Sequence, residues 1–192
     1  MSRARTLRGL CLVIAGCALG VAAWQALLWF DHARDNRLIL AAINHQDVDI
    51  QPDAALPVLF AQGYGEARLE RFREAGSAYQ TVWIRTDGGR HHDPDGLAAR
   101  TRYNLGNLYA RRAVTAAQAY DVDGARTMAE LAKQAYRDAL RARPDYWQAK
   151  HNFEAAQRLV RDLPTRAGEP EEGAAPAEDV WSQMPGFPRG LP

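Results

Sequence analysis

The chain has 192 residues, with 24 Lys and Arg against 23 Asp and Glu, the size of one ordinary domain with appendages. Arg3, Arg5 and Arg8 all precede the first acid, Asp31; setting them aside leaves 21 basic and 23 acidic residues from position 31 on. That balance lacks the clustered basic excess of a nucleic-acid-binding surface.

Residues 1–8 are a short basic end, and Gly9 to Phe30 follows as 22 residues without a charge. Such a run crosses a hydrocarbon core of about 30 Å as a helix. Arginines precede it, whereas Asp31 and Asp35 offset Arg34 and Arg37 behind it, so the positive-inside rule places the N-terminus in the cytoplasm and the rest on the exported side. Ile14-Ala15-Gly16-Cys17 resembles a bacterial lipobox, whose Cys becomes the lipidated first residue after cleavage. The apolar run nevertheless continues through Leu19, Val21, Trp24, Leu27, Leu28 and Phe30. A signal-peptide core needs only about 7 to 15 apolar residues, so the full span favours an uncleaved anchor. Cys11 and Cys17 are the only cysteines and both lie in this run, leaving the exported part without a disulfide or a thiol nucleophile.

Residues 31–52 read as stalk and linker. Leu38, Ile39, Ala42 and Ile43 keep helical spacing to about Asn44, and Asp47, Asp49 and Pro52 then break the period. The helical domain spans 53–163. A helix is expected from Ala54–Pro57 to about Leu69, with Pro57 in its first turn. Its partner runs from Phe72 to Arg85, with Ala75, Tyr79 and Val82 on one face.

Thr86 to Asp95 is a loop. Asp87, His91, His92, Asp93 and Asp95 carry donor atoms suited to a metal, but the run lacks the alternating acids and terminal Glu of a calcium loop. The favoured reading is that Asp93 N-caps a helix with Pro94 in its first position. Asp121-Val122-Asp123-Gly124 reads in the same way, as a helix start.

The helix from Pro94 to about Ala117 carries Leu97, Thr101, Leu105, Leu108 and Arg112 as a stripe. A partner from Asp123 to Ala142 presents Ala125, Ala129, Ala132, Ala135, Tyr136 and Ala139 at spacings of three and four. Pro144 stops it, and Asp145 to Leu163 forms a last, lone helix. Small residues at Gly63 and Ala75, and at Gly106 and Ala132, mark where helices approach closely, with large neighbours filling the groove. The first pair is 12 apart and the second 26, so the second hairpin carries 14 extra residues that lengthen both its helices. Tyr103-Asn104-Leu105-Gly106-Asn107-Leu108-Tyr109, with Ala132, Tyr136, Ala139 and Pro144, resembles a tetratricopeptide (TPR) unit. The resulting fold class is all-α: about two TPR-like helical hairpins and a capping helix behind an N-terminal transmembrane helix.

From 164 to 192 the composition turns Pro- and Gly-rich and acidic, with Glu169, Glu171, Glu172, Glu178 and Asp179, and predicts disorder. Its end carries Trp181, Met184, Phe187, Arg189 and Leu191, side chains suited to anchoring on a partner or on the chain's own domain.

Chemistry of an enzyme is not evident. Ser2, Ser77 and Ser182 are the only serines, and no phosphate loop, metal-spaced Cys pair or apolar carboxylate pair accompanies them; no cofactor is expected. Binding is the better case. In a stack of hairpins the first helix of each pair lines the concave face, which points to Phe60, Tyr64 and Arg68, then Arg100, Tyr103, Asn107 and Arg111, then Gln148, His151 and Arg158. Arginines among aromatics and amides suit an acidic or carboxylate-bearing peptide.

The order of these parts, one anchor, two hairpins with Tyr-Asn-Leu-Gly-Asn-Leu-Tyr in the second, a lone His151-Asn152-Phe153 helix and a terminal Met-Pro-Gly-Phe-Pro-Arg-Gly-Leu-Pro, resembles the MxaK family of methanol dehydrogenase gene clusters. The resemblance covers nearly the whole chain. It implies a periplasmic protein of the bacterial inner membrane that assists maturation of a quinoprotein methanol dehydrogenase, including calcium insertion. Its implied partners are that enzyme, a MoxR-type ATPase and von Willebrand-type proteins. An adaptor of another exported system, such as cytochrome c assembly or a general von Willebrand-domain and MoxR complex, and a direct metal donor acting through residues 87–95 are the alternative readings.

Overall fold

The computed structural model describes residues 2–46, 48–90, 93 and 95–163, with side chains from Ile14 onward. Six α-helices and no strand make up the described residues: α1 (Ser2–Ile43), α2 (Leu56–Arg68), α3 (Phe72–Arg85), α4 (Leu97–Gln118), α5 (Val122–Ala142) and α6 (Trp147–Asp162). The tail from 164 to 192, with its motif Trp181, Met184, Phe187, Arg189 and Leu191, lies outside them.

Helices α2 and α3 form one hairpin and α4 and α5 a second, longer one, of 22 and 21 residues against 13 and 14. Each is closed by a tyrosine ring laid against a glycine. A Cβ built on Gly63 meets Tyr79 Cε1 at 2.6 Å, and one on Gly106 runs into the Tyr136 ring. Both tyrosines are buried to 1% exposure or less. Rings of this size bury about 150–250 Å² each, an upper figure of about 4–6 kcal/mol of transfer free energy. Alanine dominates the rest of the interface of the second hairpin: Ala125, Ala129, Ala132 and Ala139 of α5 and Ala110 and Ala113 of α4 are fully buried, with Val114, Met128 and Leu140 packed around them. Small side chains let the two backbones approach, and the tyrosine fills the space beside them.

The first helices of successive units run side by side in one direction. Arg100 of α4 lies over Phe60 of α2, and Arg111, three turns on, donates to Ala67 O. Tyr103 stacks near Tyr146 at the start of α6, and Asn107 meets Asn152. The row is therefore α2, α4, α6, with α3 and α5 behind it.

Helix α1 is unbroken from Ser2 to Ile43, and its stretch Ile14–Ile43 is long and apolar enough to cross a membrane. Leu19, Trp24, Leu27, Trp29 and Phe30 are exposed along it, as is Cys17. Residues 31–43 do more than space the domain from this helix. Ala41 and Ala42 are buried, and Gly65 of α2 lies directly against the Ala42 carbonyl.

Three helices end in the same way. The αL residue is His45 after α1, Glu70 after α2 and Tyr120 after α4. The next amide returns to the helix each time, Gln46 N to Ala41 O, Arg71 N to Glu66 O and Asp121 N to Ala116 O, at 2.9–3.0 Å. These are Schellman closures without glycine.

Two helix starts fall later than the sequence-based expectation: α6 begins at Trp147 rather than Asp145, and α4 is shifted further. Helix α4 begins at Leu97, because Gly96 is in the left-handed region (φ 61°) and interrupts the turn before it. Asp93 still caps the helix, from three residues further upstream. Its Oδ1 accepts from Leu97 N at 2.8 Å and its Oδ2 from Ala98 N at 2.9 Å. Asp121 caps α5 as its motif suggests, accepting from Gly124 N at 2.9 Å.

Candidate binding face

The residues expected to line the concave face sort into two groups. Phe60, Tyr64 and Arg68 occupy successive turns of α2 and share one side of it. Tyr64 is 41% exposed, and the Arg68 guanidinium lies 6.0 Å from its ring centre. Arg100 is exposed and stands 4.9 Å over Phe60. Arg111 is half-buried, donates Nη2 to Ala67 O at 3.3 Å, and keeps a buried Nε that no acceptor among the described residues meets. Arg68, Arg100 and Arg111 thus follow the α2–α4 seam and form one positively charged strip.

Ion pairs divide the arginines of the domain: among the described residues Arg68, Arg100 and Arg111 form none with a carboxylate, as is also true of Arg73, Arg85, Arg102, Arg112, Arg137 and Arg158. Arg71, Arg90, Arg141, Arg143 and Arg161 each pair with a carboxylate at 2.7–3.4 Å. Burial pushes the Arg111 guanidinium below the usual arginine value, an effect that the nearby Tyr79 hydroxyl and the Glu70 carboxylate partly oppose. A half-buried cation with no carboxylate in ion-pair contact gains from one brought to it.

The second group corrects the expectation. Tyr103 is 7% exposed and Asn107 is turned into a polar network. Asn107 Oδ1 accepts from Tyr136 OH at 2.8 Å and from Asn152 Nδ2 at 2.9 Å, and Asn152 also donates to Tyr103 OH at 3.4 Å. The rings of Tyr136 and Tyr146 flank Tyr103 at 6.1 and 5.0 Å. Burial raises the hydroxyl pKa of Tyr136 well above the ordinary tyrosine value and raises those of Tyr103 and Tyr146 in the same direction. These residues join α4, α5 and α6, because buried hydroxyls and amides have to find one another. In the first hairpin burial likewise raises the Tyr79 hydroxyl, an effect that Asn104 of α4 partly opposes. Gln148 and His151 are half-buried on α6, His151 edge-on to Trp147, and Arg158 is exposed one helix away from the α4 arginines.

Two cations bind hairpin to hairpin; sequence reasoning missed Arg102 and gave Arg112 only a place in the α4 stripe. Arg102 lies 4.3 Å over Trp83 and Arg112 4.6 Å over Phe72, both on α3. Arginine so placed packs its stem and covers the ring face. The only trace in the sequence is that α4 carries arginines at 100, 102, 111 and 112, more than one exposed stripe of a helix needs.

The loop before α4 is occupied by its own contacts. Asp87 pairs with Arg90 at 2.7 Å, both Asp93 oxygens hold helix amides, and Asp95 is exposed. His91 and His92 lie outside the described residues. No group of three or more His, Cys, Asp or Glu side chains is placed to hold a metal among the described residues.

Fold and face together define a class: a stack of helical hairpins, joined to an apolar N-terminal helix, with an arginine and aromatic strip along its first helices. No protein family, curated protein or solved structure matches the chain.

Proposed function

We propose that the chain is a membrane-anchored periplasmic scaffold of the MxaK kind, which assists maturation of a quinoprotein methanol dehydrogenase, including its calcium insertion, through protein–protein contacts. Its partners in this reading are the dehydrogenase, a MoxR-type ATPase and von Willebrand-type proteins. The observation that carries the binding role is the strip of Arg68, Arg100 and Arg111 beside exposed Tyr64, none of the three paired with a carboxylate among the described residues. Bidentate arginine donors next to aromatic surface select an acidic peptide segment. The apolar α1 supports a membrane anchor, and the arginines ahead of its apolar stretch favour a helical domain outside the cytoplasm.

The test uses the full chain purified from membranes of cells making the dehydrogenase cluster. The dehydrogenase or the ATPase should co-purify with the wild-type chain and be lost with Arg68→Glu combined with Arg100→Glu. Retention of both by that variant removes the strip from the reading. A dehydrogenase with its full calcium content in cells lacking the chain removes the maturation role itself.

A further inference from the structure

We propose that the acidic C-terminal segment Glu169–Asp179 docks within the same chain on the arginine strip of α2 and α4, so that any other acidic ligand of that strip has to displace it. This inference does not depend on which partner the strip serves.

Charge is the first argument. Residues 164–192 hold Glu169, Glu171, Glu172, Glu178 and Asp179 against Arg166 and Arg189. The strip presents Arg68, Arg100 and Arg111 on one face, none of them in an ion pair with a carboxylate among the described residues, with Glu70 acting on Arg111 from further off. An acidic segment and a basic strip on one molecule meet at the effective concentration a short tether imposes.

Reach is the second. The chain leaves the domain at Leu163, where Arg126 holds the exit by donating to Val160 O at 3.4 Å and Leu163 O at 3.0 Å. Helix α6 runs parallel to α4 and α2, so this exit lies at the end of the row where Arg68 and Arg111 stand. Packed helices are about 8–10 Å apart, which puts α2 about 20 Å from α6. Glu169 is six residues past Leu163, and six extended residues span about 20 Å. Fully extended, the chain is thus just long enough for Glu169, and with more slack for Glu171 and Glu172, to reach the Arg111 and Arg68 end of the strip. Pro164, Pro170 and Pro176 punctuate the segment and lower the entropy lost when it is held extended.

The experiment measures arginine reactivity in the full chain in detergent, by phenylglyoxal modification followed by mass spectrometry. Three proteins are compared: the intact chain, one ending at Leu163, and Glu169→Gln/Glu171→Gln/Glu172→Gln, which keeps the length. Arg68 and Arg100 should react about fivefold faster in both variants, the factor that a few weak ion pairs together supply. Exposed Arg73 of α3 serves as the reference and should not change. High salt should raise the intact chain to the same rate, since the screening length falls to about 3 Å at 1 M. Equal rates in all three proteins overturn the proposal. Protection that disappears on dilution also overturns it, because the tail then belongs to a second copy.

Discussion

The ring of Tyr136 occupies the space that a side chain at Gly106 would need. Helix propensity favours alanine over glycine in mid-helix by up to about 1 kcal/mol; the ring opposes it. Gly106→Ala should therefore destabilise the domain by about 1–3 kcal/mol, the usual range for overpacking. Gly76 on α3 has nothing within 4 Å of where its Cβ would be. Gly76→Ala should stabilise by about 0.5–1 kcal/mol. Chemical denaturation of the pair checks both, and equal effects of the same sign would contradict the packing.

Alkaline pH should weaken the fold through the buried tyrosines. Burial raises the Tyr136 and Tyr79 hydroxyls above the ordinary value of 10.0. Above pH 10 the unfolded chain releases those protons while the folded one keeps them, so stability, full below pH 10, falls as pH rises. The slope approaches about 1.4 kcal/mol per pH unit for each tyrosine. Tyr136→Phe, which loses the bond to Asn107, should cost about 1 kcal/mol at pH 7. Its deficit should shrink above pH 10, a convergence that urea titrations at pH 7 and pH 11 will show or refute.

The closure of α4 leaves room for improvement. Tyr120 holds φ at 60° and is 90% exposed, so it bears the cost of a left-handed backbone with no packing in return. Tyr120→Gly should stabilise by about 0.5–1 kcal/mol, and a thermal melt should move upward by a few degrees.

Asp93 and Asp95 separate capping from metal binding. Because Asp93 holds two helix amides, Asp93→Ala should cost about 1–2 kcal/mol. Asp95→Ala, at an exposed position, should cost less than about 0.5 kcal/mol. Neither should change calcium uptake by the helical domain in a titration. Tight binding that both substitutions abolish would instead favour direct metal donation.

Helix spans were legible in the sequence because the period of small and large residues is also the period of contact. Phe72 to Arg85 was readable to the residue, and the extra length of α4 and α5 followed from the wider spacing of Gly106 and Ala132. The start of α4 was not, since an Asp-Pro pair looks like a cap directly before its helix, whereas the carboxylate reaches forward past a left-handed Gly96. The face was read in part. Arg68 and Arg100 fell on it through simple spacing, but Tyr103 and Asn107 sit at equally spaced positions and were claimed by the α6 contact. Spacing along one helix cannot tell an open wall from one covered by the next helix.

Gly65 against the Ala42 carbonyl has a rotational consequence. Helix α1 has no hinge between the apolar stretch and this contact, so the azimuth at which the domain faces its surroundings is written in the number of residues between them. Each residue added near His32 would turn the domain by about 100° around the apolar stretch without altering a single contact inside it. The chain would keep its fold and aim its arginines elsewhere.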